Sequence, residues 1–135
     1  MGFFTWLFKK VNNSTKTIYF EGEGKYLQEI VGESYYQDTL EKITNGKTEN
    51  GHEKKVKAKL IYDDNNPYDN KAIAIKIENK LIGHLSRNMA RKFRKKMEKE
   101  GHNNITVVCD ALIVGGWHKS HNDEGYFGVK LDFTI

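Results

Sequence analysis

The stretch KVKAKLIY, residues 55–62, sets the expectation for the fold, because lysine and apolar side chains alternate along it. A period of two places successive side chains on opposite faces of a strand. One face would be apolar, with Val56, Ala58, Leu60 and Tyr62, and the other would carry Lys55, Lys57 and Lys59. The stretch therefore predicts a half-buried strand whose outer face is basic.

Five further strands are predicted from apolar patterns bounded by turn residues. They cover residues 26–31, 72–77, 81–85, 104–116 and 126–135, with a hairpin turn at Asn79 and Lys80. Residues 87–100 form a predicted helix that Ser86 caps and Gly101 ends. Short antiparallel strands with an inserted helix predict a mainly β fold with inserted helices: a small OB-like antiparallel β-barrel of about six strands and one basic helix.

The N-terminal residues 1–20 are expected to form an aromatic helix and a linker, ahead of a barrel domain at residues 21–135. Within MGFFTWLFKKV, residues 1–11, Phe3, Leu7 and Val11 align at helical spacing. Such a helix would dock on a membrane surface or a partner, or it would pack back on the domain or mediate self-association.

The composition narrows the class of protein. A chain of 135 residues is long enough for one domain with a buried core. A net charge of +4 and a pI near 9 are compatible with a polyanionic partner. The lone Cys109 excludes an intramolecular disulfide and fits the reducing cytoplasm. No apolar run is long enough for a stable membrane span.

Candidate metal ligands and phosphate loops are few. Cys109, His118 and His121 lack the second pair of thiols that a structural zinc site needs, so no metal and no cofactor are predicted. The segment GEGK, residues 22–25, is shorter than a phosphate-binding loop and precedes a strand instead of opening a helix. A flexible turn is the expectation there.

The loop within DDNNPYDNKAIAI, residues 63–75, holds the only proline of the chain. Pro67 stiffens the turn and restricts Asn66 to extended geometry. A stiff loop can hold side chains for a ligand without a large ordering cost. Its carboxylates also keep one enzymatic alternative open, a metal-dependent nuclease or hydrolase that would use Asp63, Asp64 and Asp69.

Aromatic rings beside positive charge favour a single-stranded nucleic acid as the ligand. Tyr35 and Tyr36 lie in a polar segment and Tyr68 lies in the loop. Such rings either stack on unpaired bases or cap the ends of the barrel. The predicted helix adds seven cations, Arg87 and Arg91 among them, and its acidic residues are few and late, which favours contact with phosphate groups.

Five segments, in order and in spacing, resemble the HIRAN domain family. They are VGESYYQDTL (31–40), NPYDNKAIAI (66–75), IGHLSRNMARKF (82–93), CDALIVGG (109–116) and YFGVKLDF (126–133). The resemblance runs from about Ile30 to Phe133. Members of the family occur at the N-termini of certain DNA-remodelling ATPases and as small stand-alone bacterial or phage proteins, and this chain looks like the stand-alone type.

The resemblance implies a non-enzymatic OB-like barrel that binds single-stranded DNA, in the best-understood case at a free 3′ end. It implies that Tyr35 and Tyr68 stack on terminal bases and that Asp69 accepts a hydrogen bond from the 3′-hydroxyl group. Asn65 and Asn66 would donate to a phosphate or shape the loop. The contacts implied with the DNA backbone come from His84 and Arg87. A DNA-processing protein is a further candidate partner.

Two positions depart from the family pattern. Ser34 stands where the DNA-binding remodeller has an arginine, directly before the paired tyrosines. The family's late-loop aromatic ring has no clear counterpart near Gly115 and Gly116, and Trp117 is the substitute that the sequence offers. Both departures bear on the affinity for DNA and on the preference for a 3′ end.

Overall fold

The computed structural model describes residues 5–10 and 16–135, with side chains described from residue 16 onward. The described residues form ten strands, two α-helices and one short 3-10 helix. In chain order they are β1 (Thr5–Lys10), β2 (Lys16–Glu21), β3 (Gln28–Glu29), the 3-10 helix (Glu33–Tyr36), α1 (Gln37–Thr44), β4 (His52–Asp63), β5 (Ala72–Ile77), β6 (Lys80–His84), α2 (Arg87–Lys99), β7 (Thr106–Gly115), β8 (His118–Ser120), β9 (Asp123–Glu124) and β10 (Phe127–Leu131). The chain is mainly β, as predicted. Its strands outnumber the expected six because short strands and an N-terminal pair add to them.

The twelve residues of β4 organise the sheet. On one side β4 pairs antiparallel with β7, and on the other side it pairs antiparallel with β5. Beyond β5 the sheet continues into β6, and β10 and β2 share the other edge of β7. The β2–β7 pair is parallel, whereas the other named strands of the described residues pair antiparallel. The expected mostly antiparallel sheet is therefore confirmed.

The alternation of lysine and apolar side chains along residues 55–62 is present in β4. Ala58 and Leu60 are fully buried, and Val56 and Tyr62 are half-buried. The exposed outer face carries Lys55, Lys57 and Lys59. Alternate residues of β4 thus contribute to the core, together with Ile73, Ile75 and Ile77 of β5, a strand whose Ala72 and Ala74 are also buried.

The two ends of the curved sheet meet at a single bridge. Strand β3 pairs with β10. Two residues after β3, the backbone of Val31 exchanges two hydrogen bonds, of 2.8 Å and 2.9 Å, with the backbone of His84 at the end of β6. Gly83 allows this approach, since a Cβ at that position would lie 2.8 Å from the Val31 carbonyl oxygen. The strands β3, β10, β7, β4, β5 and β6 thereby curl into a barrel-like arrangement.

Helix α2 packs on the sheet through Phe93, which is fully buried. The centroid of its ring lies 6.1 Å from that of Tyr62 and 5.6 Å from that of Phe133. Ser86 caps the helix by accepting a backbone hydrogen bond, and Gly101 follows its end with a positive φ, as predicted. No helix among the described residues, α2 included, is long and apolar enough to cross a membrane.

The predicted N-terminal aromatic helix is wrong for residues 5–10. They form β1, which pairs antiparallel with β2 and places Leu7 opposite Tyr19. A short segment has little helical stability of its own, whereas a strand beside a partner gains a ladder of hydrogen bonds. Residues 1–4 and 11 of the predicted helix lie outside the described residues.

The predicted linker is also replaced by structure. Residues 16–21 form β2, and Ile18 and Phe20 belong to the buried core. The Phe20 ring lies 4.4 Å from the ring of Phe133, centroid to centroid. The folded domain thus includes residues that precede the expected boundary at position 21.

One carboxylate closes the glycine-containing turn before β3. Asp132 accepts hydrogen bonds from the backbone N–H groups of Gly24, Lys25 and Tyr26, with distances of 2.8 to 3.3 Å. Tyr26 adopts a φ of 49°, so the predicted strand at residues 26–31 is shortened to β3. The N–H groups of this turn surround an anion, as those of a phosphate-binding loop would, but the anion is the carboxylate of Asp132.

Substituting Gly83→Ala should separate the two ends of the sheet. The added Cβ would meet a backbone oxygen, which cannot rotate away, so we expect a destabilisation of about 1–3 kcal/mol. Gly128→Ala is the matched control, because its Cβ would lie 3.4 Å from the Val114 side chain. Urea unfolding of both variants measures the difference. An unchanged midpoint for Gly83→Ala would show that the closing contact is not tight.

Candidate nucleic-acid interface

The loop between β4 and β5 is shaped by the side chain of Asn66. Its Oδ1 accepts hydrogen bonds from the backbone N–H groups of Tyr68, at 2.9 Å, and Asp69, at 3.1 Å. Its Nδ2 donates to Oδ2 of Asp63 at 3.0 Å. Asn66 therefore shapes the loop, and its Nδ2 group keeps a second N–H beyond the one that donates to Asp63.

The carboxylate of Asp69 forms a two-point contact with Arg91 on the first turns of α2. Nη1 and Nη2 of Arg91 donate to Oδ2 and Oδ1, each at 3.0 Å. The Lys71 N–H donates to Oδ1 at 3.0 Å, and Arg87 donates to the Tyr68 carbonyl oxygen at 3.3 Å. These contacts fix the loop against the helix.

The electrostatics of Asp69 follow from this geometry. The hydrogen bond from Arg91, helped by the Lys71 N–H and by the charge of Arg87, holds the pKa of the Asp69 carboxyl well below its ordinary value of 3.8. Its Oδ1 accepts from two donors and its Oδ2 from one. A carboxylate offers about four acceptor positions, so Oδ2 keeps one, and the nearby Nε of Arg87 lies 3.9 Å from this oxygen.

Arg94 is a site residue that the sequence analysis did not select. Its Nε and Nη2 donate to the carbonyl oxygens of Lys71 and Ala72 at 2.8 and 2.9 Å. It also pairs with Asp64 at 2.8 Å, and its guanidinium lies 4.5 Å above the centre of the Tyr62 ring. Arg94 anchors the end of the loop to α2 as Arg91 anchors its middle.

Two of the predicted stacking rings are open to solvent. The side chain of Tyr68 is 89% exposed and that of Tyr35 is 87% exposed. Tyr36 is half-buried in the same 3-10 helix as Tyr35, and Asn65 is exposed in the loop. Tyr35 and Tyr68 therefore have free ring faces, whereas Tyr36 is partly covered.

His84 connects the segment of Tyr35 with the loop. Its backbone bridges Val31, four residues before Tyr35, and its Nε2 lies 3.6 Å from Oδ2 of Asp63, where the loop begins. This Nε2 atom is buried and finds no hydrogen-bond partner among the described residues. Predicted site residues from the loop, β6 and α2 thus share one set of contacts, which reaches the segment before Tyr35 through Val31.

Trp117 does not join this set. Its Nε1 donates to Asp123 at 2.9 Å, and its ring covers Gly125, where an added Cβ would overlap it. Trp117 follows the end of β7, which pairs with the start of β4. The loop lies at the opposite end of β4. The indole belongs to the β8–β9 hairpin.

The metal-ligand candidates lie in separate places. Cys109 is buried in the core, where burial raises the pKa of its thiol. His118 and His121 are exposed in the hairpin, and His118 contacts Glu124 at 2.6 Å. Within the described residues, no group of three or more His, Cys, Asp or Glu side chains is arranged to hold a metal ion.

The three loop aspartates are also engaged separately. Asp63 accepts from Asn66, Asp64 pairs with Arg94, and Asp69 pairs with Arg91. Their carboxylates point to different partners and do not converge on one position. In this arrangement they fix the loop.

Comparison with known proteins leaves the function to be inferred from the residues. No protein-family model, no curated protein and no solved structure matches the chain. The resemblance to the HIRAN family rests on the five sequence segments, and the site rests on the contacts described above.

The pKa of Asp69 gives a signed prediction for stability. A carboxylate with a depressed pKa stabilises the fold above its unfolded pKa, and this contribution disappears as the pH falls through the folded pKa. Asp69→Asn should therefore lower the free energy of unfolding by a constant amount at about pH 5–7, and the difference should shrink below about pH 4. Urea titrations at several pH values measure it.

Glu49→Gln is the control for this series, because Glu49 is an exposed carboxylate outside the loop. Its stability profile should follow that of the wild type across the same pH range. If Asp69→Asn did the same, the contact with Arg91 would contribute nothing to the fold.

Proposed function

We propose that this protein is a non-enzymatic module with an OB-like, HIRAN-type barrel that binds single-stranded DNA at a free 3′ end. The observation that carries the proposal is the fixed loop, which presents an exposed Tyr68 ring directly beside an Asp69 carboxylate with an acceptor position left. The five HIRAN-like segments support the same reading, since they include this loop.

The exposed rings supply the stacking surface. An aromatic side chain stacks on any base, and a cation beside it attracts the adjacent phosphate. Tyr68 lies next to Arg87, which donates to its carbonyl oxygen and whose side chain is largely exposed. Tyr35 offers a second free ring on the neighbouring 3-10 helix.

The carboxylate supplies the recognition of an end. Asp69 stays ionised and would repel a phosphate group, but its Oδ2 can accept a hydrogen bond from a hydroxyl donor. A chain terminus with a free 3′-hydroxyl group provides such a donor. The phosphate groups within the DNA strand would instead contact Arg87 and the exposed side of Arg91.

The rigidity of the loop favours binding. Asn66, Arg91 and Arg94 hold its backbone and its carboxylate in place before any ligand arrives. A preformed site loses less conformational entropy on association, which favours affinity.

Tyr68→Ala should weaken binding to 3′-hydroxyl and 3′-phosphate oligonucleotides alike, by about 1–3 kcal/mol for the loss of one base–aromatic stack. Fluorescence anisotropy measures both affinities. Tyr126→Ala is the matched control, since Tyr126 is 81% exposed and lies outside the loop. Equal effects of the two substitutions would remove Tyr68 from the binding surface.

Asp69→Ala should separate the two kinds of end. Affinity for a 3′-hydroxyl oligonucleotide should fall, because the acceptor is lost. Affinity for a 3′-phosphate oligonucleotide should stay constant or rise, because a repulsive charge is removed and Arg91 is released. If Asp69→Ala bound both kinds of end with wild-type affinity, Asp69 would only shape the loop.

The same oligonucleotides test for catalysis. Binding that persists in EDTA, with no product after incubation with magnesium, is expected of a binding module. Cleavage that needs magnesium would overturn the non-enzymatic assignment and favour the loop aspartates as metal ligands.

A further inference from the structure

Beyond the loop, α2 borders a groove of about 640 Å³. Tyr62 lines it from the sheet, Lys71 from the end of the loop, and Lys92 and Lys95 from the helix. Arg91 belongs both to this groove and to the contact with Asp69. The groove therefore begins where the candidate end-binding site stops.

A second groove of about 420 Å³ lies along the same helix and is lined by Lys92, Lys95 and Lys99. Lys92 and Lys95 line both grooves, so they stand between them. With Lys99 they follow the spacing of one helix face. We call these three residues the lysine ridge.

Among the described residues, none of the salt bridges includes Lys92, Lys95 or Lys99, although Glu98 lines the first groove and Glu100 the second. The cations that hold the loop, Arg91 and Arg94, are by contrast paired with aspartates. The charge that α2 leaves uncompensated is thus concentrated on the ridge.

The spacing of the charges argues against a face selected only for contact with water. Opposite charges four residues apart stabilise a helix, and like charges destabilise it. On α2 this spacing joins Lys95 with Lys99 as like charges, whereas Arg94 is joined with Glu98 and Arg91 is paired with Asp69. An anionic ligand on the ridge would relieve this repulsion.

The charge is also unequally distributed over the molecule. The residues of α2 include seven Lys or Arg and one Glu, a net charge of +6, whereas the whole chain carries +4. The remaining residues therefore sum to −2. A polyanion is attracted to the side of the protein on which α2 lies.

We propose that the lysine ridge is a phosphate track for the nucleotides that precede the terminal one. The ligand is then a strand of several nucleotides, with its end at Tyr68 and Asp69 and its backbone along α2. The helix is about 20 Å long, which accommodates several phosphate groups. This inference rests on the proposed function and specifies the length of the strand that the site takes.

The test uses the double variant K92E/K95E and two 3′-hydroxyl oligothymidylates, one of about three and one of about twelve nucleotides. The wild type should bind the longer strand more tightly and with a steeper salt dependence. The variant should bind the short strand as tightly as the wild type does. It should lose the advantage of length, that is, the higher affinity for the longer strand. Its log–log salt slope for the long strand should fall by about 1.4, for two phosphate contacts.

Two controls keep the test selective. K119E/K130E makes the same change in net charge at two exposed lysines on β8 and β10, outside the loop and α2, and should keep the advantage of length. The new carboxylate at position 95 lies four residues from Arg91 and Lys99 and three residues from Glu98 and the other new carboxylate, so these effects oppose one another. The thermal midpoint of K92E/K95E should therefore stay close to that of the wild type, which would exclude unfolding as the cause of weaker binding.

The outcomes separate the two proposals. The phosphate track is overturned if the wild type binds both strands equally, if K92E/K95E keeps the advantage of length, or if K119E/K130E loses it to the same extent. In each of those cases the end-binding function stands. If the wild type binds neither strand, the proposed function fails and the track fails with it.

Discussion

The reciprocal hydrogen bonds between Val31 and His84 join the two ends of the sheet, and the rest of the structure depends on them. Without this contact β3 and β6 would not be linked, and the segment carrying Tyr35 would lose its link to β6 while keeping the hydrogen bonds between Gln37 and Phe127 of β10. His84 also places its ring beside Asp63, at the start of the loop. Closing the barrel-like sheet and bringing the parts of the candidate site together are therefore one event.

The features that sequence predicts best here are those that depend on near neighbours. Alternation along residues 55–62 was enough to predict β4, and Ser86 was enough to place the start of α2. The strand at residues 5–10 could not be predicted, because it exists through pairing with β2. The contact of Asp132 with Gly24 joins positions 108 residues apart, so no local pattern indicates it.

In the candidate site, the resemblance selected the loop residues, His84 and Arg87, but it did not indicate that the arginines of α2 hold the loop. Arg87, Arg91 and Arg94 follow one another at helical spacing, and this pattern was a usable signal that they share a face. The structure shows why arginine occurs there: its planar fork meets the two oxygens of Asp69 and neighbouring carbonyl groups. The flexible, strongly hydrated lysines occupy the ridge, where none of the salt bridges between described residues holds them.

The proposed function has to explain why the carboxylate of Asp69 lies in the middle of a cationic surface. Asp69 cancels the charge of Arg91 and lowers the attraction for phosphate groups, so it opposes affinity. Its benefit is selectivity, because a terminal hydroxyl group can donate to it and a phosphate group cannot. A site that gives up affinity at the end of a strand needs another source of affinity that is independent of sequence. The lysine ridge on the same helix meets that need, because it attracts the backbone of the strand wherever the chain ends.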